Sequence, residues 1–468
     1  MVSTGPTIPS EVGILARDYG CRVDQVPEGH VTGVDFEDLT RVTCAALSTI
    51  ESPTVSFYRR GTFNRLYRLH FALTGRDVLA RIPSPASRNL VSVTSTVATM
   101  LYAQHICIPV PHVIAWNDAS TGTSGQVPYI ITDLVQEAYD AWSSWRNEPS
   151  ERKERIFETF ARTQAAFLRP IELPLSSIGT VSGAAPTPAH FSLQPLTIRH
   201  KYALAPRRRP RTPLIRVHSL LLRDVWLELL DLHRSSCLEH TVSTSPDYEQ
   251  VLLNWNIENL DPDDAILAPV TDFLAVVDDL RALVERTLDA LNRRPAFLQP
   301  CLVRTDFAFR NVLLDPDTLE TKACIDFDDV QVMPLVLAHI FPQDLLEFEE
   351  PYVSRDAPYF AQEGGFSQFP PDEYGPEDLC PEKTTDDEGA YERLASNKRI
   401  KYTAYRTSYL AALERADPRI AEEGWWELHK DARKVHELLV GGTHMWWLKR
   451  EWLRMRRAVS DSVPASSM

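Results

Sequence analysis

The sequence predicts an α+β fold of two lobes, a small antiparallel sheet followed by a larger, mainly helical part. Two observations predict this order: apolar residues alternate with polar ones in short segments before residue 133, and recur at helical spacing after it. The length of 468 residues supports two lobes, because one hydrophobic core stops growing near ~250–300 residues. We therefore expect an N-terminal lobe over 1–132 and a mainly helical lobe over 133–468.

The strands of the first lobe are predicted from alternation. The odd-numbered positions from Tyr67 to Leu73 are apolar and polar residues lie between them, which is typical of a half-buried strand. A turn-forming Thr-Gly-Arg-Asp sequence follows, and a second apolar run stops at Pro83. These features predict an antiparallel hairpin over 63–82, and residues 129–132 predict a further strand.

Helical spacing dominates the rest of the chain. Ile156, Phe160, Thr163 and Phe167 share one face of a predicted helix, and apolar residues over 273–291 repeat the pattern for about five turns. A run of strands followed by helices favours segregated lobes over an alternating parallel sheet.

Charge and cysteine usage exclude several classes of function. Lys and Arg total 49 against 64 Asp and Glu, a net charge of −15, which repels nucleic acid and anionic membranes. The seven cysteines form an odd set without a C-x-x-C pair, and Cys107, Cys301 and Cys324 sit among apolar residues as buried thiols do. No export signal or membrane span is visible, so we expect a cytoplasmic protein.

One long segment has a loop-like composition. Residues 353–390 contain Pro-Pro and Gly-Gly pairs and an acidic run. The segment fits a mobile acidic loop, or alternatively a lid over a cationic substrate.

The most informative stretch is 302–330. Asp306 is followed five residues later by Asn311, then by an apolar run, a turn, and a second strand-like run that ends in Asp326. Three oxygen-bearing side chains are thus predicted at the ends of two short paired strands. Phosphoryl transfer needs such a set, one carboxylate for the hydroxyl proton and an amide with a second carboxylate for Mg²⁺.

This pattern resembles the catalytic and metal-binding segments of the aminoglycoside phosphotransferase and choline kinase family, and most closely its large fungal branch. The resemblance implies a protein-kinase-like fold with a small antiparallel-sheet N-lobe that binds nucleotide and a larger, mainly helical C-lobe. It further implies that Asp306 is the acid–base residue and that Asn311 and Asp326 bind Mg²⁺. ATP and a small-molecule acceptor are the implied partners.

Further segments resemble the nucleotide-binding parts of the family. Residues 78–83 resemble its third strand, which makes Arg81 the cation on the nucleotide phosphates, and residues 129–133 resemble its hinge, which ends at Asp133. The loop that covers the phosphates in the family is similar to a short segment of this chain, Gly61, Thr62, Phe63 and Asn64.

Three departures from the family pattern concern catalysis. Arg304 stands where the family has a histidine two residues before the catalytic Asp, and residues 1–152 contain no lysine, so only an arginine can meet the phosphates. No Asp or Glu occurs between Asp77 and Asp118, and Thr96 stands where a helix Glu is expected. Arg81 must therefore pair with another group of the protein or with a bound anion.

Two classes of function follow from these residues. The first is a Mg²⁺- and ATP-dependent phosphotransferase that acts on a hydroxyl of a small molecule. The second is a catalytically weakened pseudokinase that serves as a binding or scaffold protein, or a kinase-like fold reused for other chemistry. The retained Asp326 favours the first.

Overall fold

The computed structural model describes most of both predicted lobes. The described residues are 36–61, 64–84, 92–118, 127–141, 148–183, 191–199, 214–242, 270–345 and 404–441. The acidic segment 353–390 lies outside them, as do Thr62 and Phe63.

The first lobe is built on an antiparallel sheet of five strands in the order β1-β2-β3-β5-β4. Its elements, numbered in chain order, are α1 Phe36–Ala46, β1 Thr54–Arg60, β2 Asn64–Phe71, β3 Arg76–Pro83, α2 Val93–His105, β4 Val113–Asn117 and β5 Tyr129–Asp133. We call the sheet and these two helices the small lobe. The sheet confirms the predicted α+β class with its antiparallel part first.

Alternation decides which side chains of the sheet are buried. Tyr67, Leu69 and Phe71 of β2 lie in the small-lobe core, as the pattern predicts. Leu73 does not: β2 ends at Phe71, and the Leu73 side chain lies in the following turn, 87% exposed. The turn closes at Gly75, whose φ of 66° favours glycine, so the apolar alternation runs past the end of the strand.

Helices cover both faces of this sheet. On one face Phe36 of α1 packs edge-on against Tyr67, with ring centroids 4.9 Å apart. On the other face Val93 and Val97 of α2 pack with Ile130 of β5. Since residues alternate between faces, Arg81 of β3 points away from its buried neighbours Ala80 and Ile82.

The remaining described elements form the large lobe. They are β6 Tyr139–Asp140, α3 Ser150–Phe167, β7 Thr180–Ser182, β8 Ser192–Gln194, β9 Thr197–Arg199, β10 Leu214–Arg216, α4 Leu222–Val242, α5 Val270–Asn292, β11 Pro300–Arg304, β12 Val312–Leu314, β13 Thr321–Cys324, β14 Val330–Pro334, a helix α6 over 404–416 and α7 Trp425–Gly441. The predicted helices over 156–167 and 273–291 fall within α3 and α5. Among the described helices none has the length and apolar character of a membrane span.

The large lobe has a continuous core, into which α2 of the small lobe also packs Met100. Phe157 and Phe160 of α3, Trp226 of α4 and Leu438 of α7 are enclosed in it, together with the strands that carry the predicted site. Cys301 and Cys324 are buried as free thiols, but Cys107 is exposed, which contradicts the expectation of a buried thiol there. Cys107 follows the end of α2, where the chain turns with a φ of 63°.

Three histidines in or next to α7 have low exposure to solvent: His429 and His436 on α7 itself, and His233 on α4. His429 donates a 2.9 Å hydrogen bond from Nδ1 to the carbonyl of Val336, and His436 accepts one from the Trp226 indole at 3.2 Å. Burial, with Arg433 nearby, lowers the pKa of His429 to about 3 and that of His436 to about 4. Burial likewise lowers the pKa of His233 to about 4. These rings stay neutral inside the fold.

We expect this cluster to make the large lobe sensitive to acid. Below pH 6.5 the unfolded chain protonates these histidines and the folded protein does not, so each one lowers the unfolding free energy by about 1.4 kcal/mol per pH unit until its own folded pKa is reached. Urea unfolding between pH 7 and 4.5 measures this slope. His436→Asn should make the slope shallower, whereas His105→Asn, a change at an exposed histidine, should leave it unchanged; equal slopes in all three proteins would contradict the assignment.

Candidate active site

Two short antiparallel strand pairs bring the predicted site residues to one edge of the large lobe. β11 pairs with β14 so that Arg304 faces Val330, and β12 pairs with β13 so that Val312 faces Cys324. The loop 305–311 leaves β11 and enters β12, while the loop 325–329 leaves β13 and enters β14. Because both loops join the same two pairs, they run side by side, and the amide of Ile325 donates to the carbonyl of Asn311 at 3.0 Å.

Asp306 lies in the first of these loops with both carboxylate oxygens engaged. Asn311 donates to Oδ2 at 3.0 Å and to the Asp306 carbonyl at 2.9 Å. Arg310 donates to Oδ1 at 2.6 Å and also to the Gln343 side chain at 3.2 Å. The Asp306 carboxylate is therefore held in one orientation and keeps a solvent-accessible side, since a quarter of the side chain is exposed.

Asp326 lies at the start of the second loop in a left-handed conformation, with a φ of 62°. Such a backbone is uncommon outside glycine and is characteristic of constrained turns at functional sites. Its side chain is 43% exposed and one of its oxygens contacts Arg81 at 3.0 Å. The Asn311 amide and the Asp326 carboxylate are oxygen donors of the kind that Mg²⁺ prefers, so this pair fits a hard divalent cation.

Arg304 supports the backbone at Asp326 through hydrogen bonds. Its guanidinium is enclosed by the rings of Phe167, Phe307 and Phe327, at 5.3, 5.8 and 5.2 Å from their centroids. It donates to the carbonyls of Ile325 at 2.6 Å and Asp326 at 3.1 Å. Burial lowers the pKa of this group below its usual range. Arg304 thus holds the turn that presents Asp326.

Arg81 reaches the same loop from the small lobe. Its guanidinium makes ion pairs with Asp326 and with Asp328, two residues further on. Asp328 is almost fully buried, with 7% of its side chain exposed, and it also accepts hydrogen bonds from Thr96 at 3.0 Å and Asn64 at 3.2 Å. Burial raises the pKa of the Asp328 carboxyl above its ordinary value, a shift that Arg81 opposes.

The other residues predicted to bind nucleotide divide into two groups. The amide of Gly61 donates to the carbonyl of Asn64 at 2.8 Å and closes the turn between β1 and β2, and the Asn64 side chain joins the contact at Asp328. Asp133 is not part of this group: its carboxylate contacts Arg76 at 2.7 Å. It pairs with Val78 in the sheet, three residues from Arg81, or about 10 Å along the strand.

A short segment from the core of the large lobe supports the Asp306 loop. The Gln343 side chain donates to the carbonyl of Thr305 at 2.9 Å, and Asp344 accepts the amide of Phe309 at 2.6 Å. Oδ1 of Asp344 is buried with no hydrogen-bond partner among the described residues. Burial raises the pKa of Asp344 to about 7, so its ionised form is costly.

Three residues of this site were not predicted from the sequence: Asp328, Arg310 and Asp344. A signal for Asp328 was present, because the I-D-F-D-D run carries three carboxylates and no acid lies between Asp77 and Asp118 to pair with Arg81. Arg310 and Asp344 act through contacts that depend on loop geometry and have no comparable sequence signal.

Two cavities of about 490 and 460 Å³ open elsewhere on the large lobe, along α3 and the region 412–419. Neither is lined by a residue of the candidate site. Among the described residues no group of three or more His, Cys, Asp or Glu side chains is arranged to hold a metal. The candidate cation site therefore depends on the amide and carboxylate pair of Asn311 and Asp326.

Removing the charge of Asp344 should stabilise the protein in a pH-dependent way. Between pH 4 and 7 the unfolded chain ionises this carboxyl while the folded protein keeps it protonated, so its contribution to stability falls as the pH rises through this range. Asp344→Asn keeps an oxygen for the Phe309 amide and has no such dependence. The melting temperature of the variant relative to the parent should therefore be higher at pH 8 than at pH 5; an unchanged difference would contradict the pKa shift.

Comparison with known proteins gives a family match and several structural neighbours. A family model described as the phosphotransferase enzyme family matches residues 54–337, more than half of the chain. The ethanolamine kinase of Plasmodium vivax is similar in structure, with a TM-score of 0.38 and 10% identity over 92% of this chain and 88% of its own. An aminoglycoside-3'-phosphotransferase of type VIII gives a TM-score of 0.35 and 15% identity over 84% of this chain and 99% of its own. No curated protein sequence matches the chain.

Proposed function

The chain belongs to the phosphotransferase enzyme family, and from this membership and the geometry of the site we propose that it is a Mg²⁺- and ATP-dependent phosphotransferase acting on a hydroxyl of a small molecule. The observation that carries the proposal is the orientation of Asp306, which Asn311 and Arg310 hold from two sides. A carboxylate held in this way next to an amide and a second carboxylate is what phosphoryl transfer requires.

In this proposal Asp306 takes the proton of the acceptor hydroxyl as its oxygen attacks the γ-phosphorus of ATP. The bond from the γ-phosphorus to the β–γ bridging oxygen breaks, ADP leaves, and Asp306 returns the proton to solvent. Arg310 and Asn311 keep the carboxylate oriented throughout, and such orientation contributes to the rate because the acceptor oxygen must approach in line.

Arg81 is the proposed cation on the nucleotide phosphates, and Asn311 and Asp326 are the proposed Mg²⁺ ligands. When bound there, Mg²⁺ would supply positive charge that stabilises the charge developing during phosphoryl transfer. Arginine binds phosphate as a planar fork, whereas lysine binds it as a point charge. We therefore expect the phosphates to sit at a different angle from that in enzymes with a strand lysine. Gly61, Thr62, Phe63 and Asn64 are proposed to cover the phosphates, and Asp133 to end the adenine-binding hinge.

The acceptor belongs to the class of small alcohols. The net charge of −15 favours a cationic acceptor over an anionic one, because the surrounding field attracts positive ligands.

A second candidate function is that of a pseudokinase that binds or scaffolds without efficient transfer. The contact between Arg81 and Asp326 favours it, since a cation on a metal ligand competes with Mg²⁺. The two functions differ in turnover and in nucleotide-dependent stabilisation, so the following experiments separate them.

We expect Asp306→Asn to lower kcat by 10²-fold or more while nucleotide affinity stays within about threefold of the parent, because the carboxylate acts on the acceptor proton. ADP release over a panel of amino alcohols and aminoglycosides measures kcat, and titration calorimetry measures affinity. Asp317→Asn, a change at an exposed residue of the β12–β13 turn, is the control. Equal turnover in parent and Asp306→Asn would remove Asp306 from the mechanism.

Mg²⁺-ATP should raise the melting temperature of the parent, because a ligand that binds only the folded state stabilises it by mass action. The shift should disappear with EDTA and should be lost in Asp326→Asn. A parent protein that shows neither a shift at millimolar Mg²⁺-ATP nor any turnover would support the scaffold function instead.

A further inference from the structure

The Asp328 carboxylate is the point at which three separate elements of the small lobe meet the large lobe. Asn64 approaches from the start of β2, Arg81 from the middle of β3 and Thr96 from the first turns of α2. The contacts span more than 230 positions of sequence, so they form only when the two lobes are assembled. A single side chain thus carries much of the polar contact between the sheet and the loop of Asp326.

Burial separates the roles of the two carboxylates on Arg81. Asp326 is 43% exposed and Asp328 only 7% exposed, and the Arg81 side chain is itself 16% exposed. A buried charge is tolerated only when it is paired and hydrogen-bonded. Asp328 meets this condition through one guanidinium, one amide and one hydroxyl, whereas Asp326 remains open toward the cleft. The stable partner of Arg81 is therefore Asp328.

Helix α2 reaches Asp328 through a hydroxyl group. The Thr96 side chain donates to the Asp328 carboxylate at 3.0 Å. No acid occurs between Asp77 and Asp118, so α2 has none to offer. The contact between β3 and α2 therefore passes through a carboxylate of the large lobe.

We propose that Asp328 is the positioning residue that holds Arg81 in the cleft and ties the small lobe to the loop that carries Asp326. The consequence for the nucleotide rests on the proposed function: the loop 325–329 carries Asp326 and, through Asp328, also holds Arg81, so the phosphate cation and the metal ligand keep a constant separation. Asp328 itself does not touch the nucleotide.

The structural part of this proposal is tested without any nucleotide. Arg81→Met and Asp328→Asn should each lower the urea midpoint of the ligand-free protein, because each leaves a partner unpaired. The urea midpoint of the double variant should lie close to that of the less stable single variant. It should not fall by the sum of the two single shifts. Asp329→Asn, the same charge change at the exposed neighbouring residue, is the control. Strictly additive shifts would overturn the proposal.

Placing a carboxylate on α2 in the absence of the Asp328 carboxylate tests the positioning role. Asp328→Ala should weaken the affinity for Mg²⁺-ATP at least tenfold in titration calorimetry. Thr96→Glu added to Asp328→Ala should recover most of that loss, since residue 96 lies within hydrogen-bond distance of the vacated carboxylate. The same Thr96→Glu change in the parent should weaken binding, because two carboxylates would then face each other.

The outcomes distinguish this inference from the proposed function. If the parent does not bind Mg²⁺-ATP, the proposed function fails, and the coupling measured in the ligand-free protein still decides whether Asp328 anchors Arg81. If Asp328 acts instead as a direct ligand of the cation, its substitution will weaken Mg²⁺-ATP binding without coupling to Arg81 and without recovery by Thr96→Glu. That result would overturn the inference.

Discussion

A buried pairing of Arg81 with Asp328 is the constraint on which the arrangement of the candidate site depends. The sheet of the small lobe has its own hydrophobic core, while α2 packs Met100 and Ala103 into the core of the large lobe. The ion pair adds a contact between the sheet itself and the loop of Asp326, and burial raises the cost of separating its charges. With Thr96 and Asn64 on the same carboxylate, the sheet is held over the loop in one orientation.

Two arginines in this site, Arg81 and Arg304, are accommodated by different physical means. Arg81 is paired with carboxylates, so its charge is neutralised locally. Arg304 makes no close salt bridge among the described residues; three aromatic rings and two backbone carbonyls contact it instead. Ring faces and carbonyl oxygens both carry partial negative charge, and together they stabilise a guanidinium that has lost its water.

The elements of the fold could largely be predicted because local patterns report local burial. The alternation at Tyr67, Leu69 and Phe71 marks a strand with one buried face, and the spacing of Ile156 and Phe160 marks a helix with one buried stripe. The same reasoning was wrong for Leu73 and Cys107. An apolar neighbourhood in sequence does not specify where a strand or helix ends, and both residues lie just beyond such an end.

By itself the sequence determined the types of element and the chemistry available: Asp306, Asn311 and Asp326 at the ends of paired strands, an arginine as the only cation type in the first lobe, and no acid on α2. Only the tertiary structure decided which carboxylate meets Arg81, how Arg310 engages Asp306, and that Arg304 supports Asp326. These contacts join residues that are distant along the chain. Their formation depends on the packing of whole lobes, and no local periodicity encodes that packing.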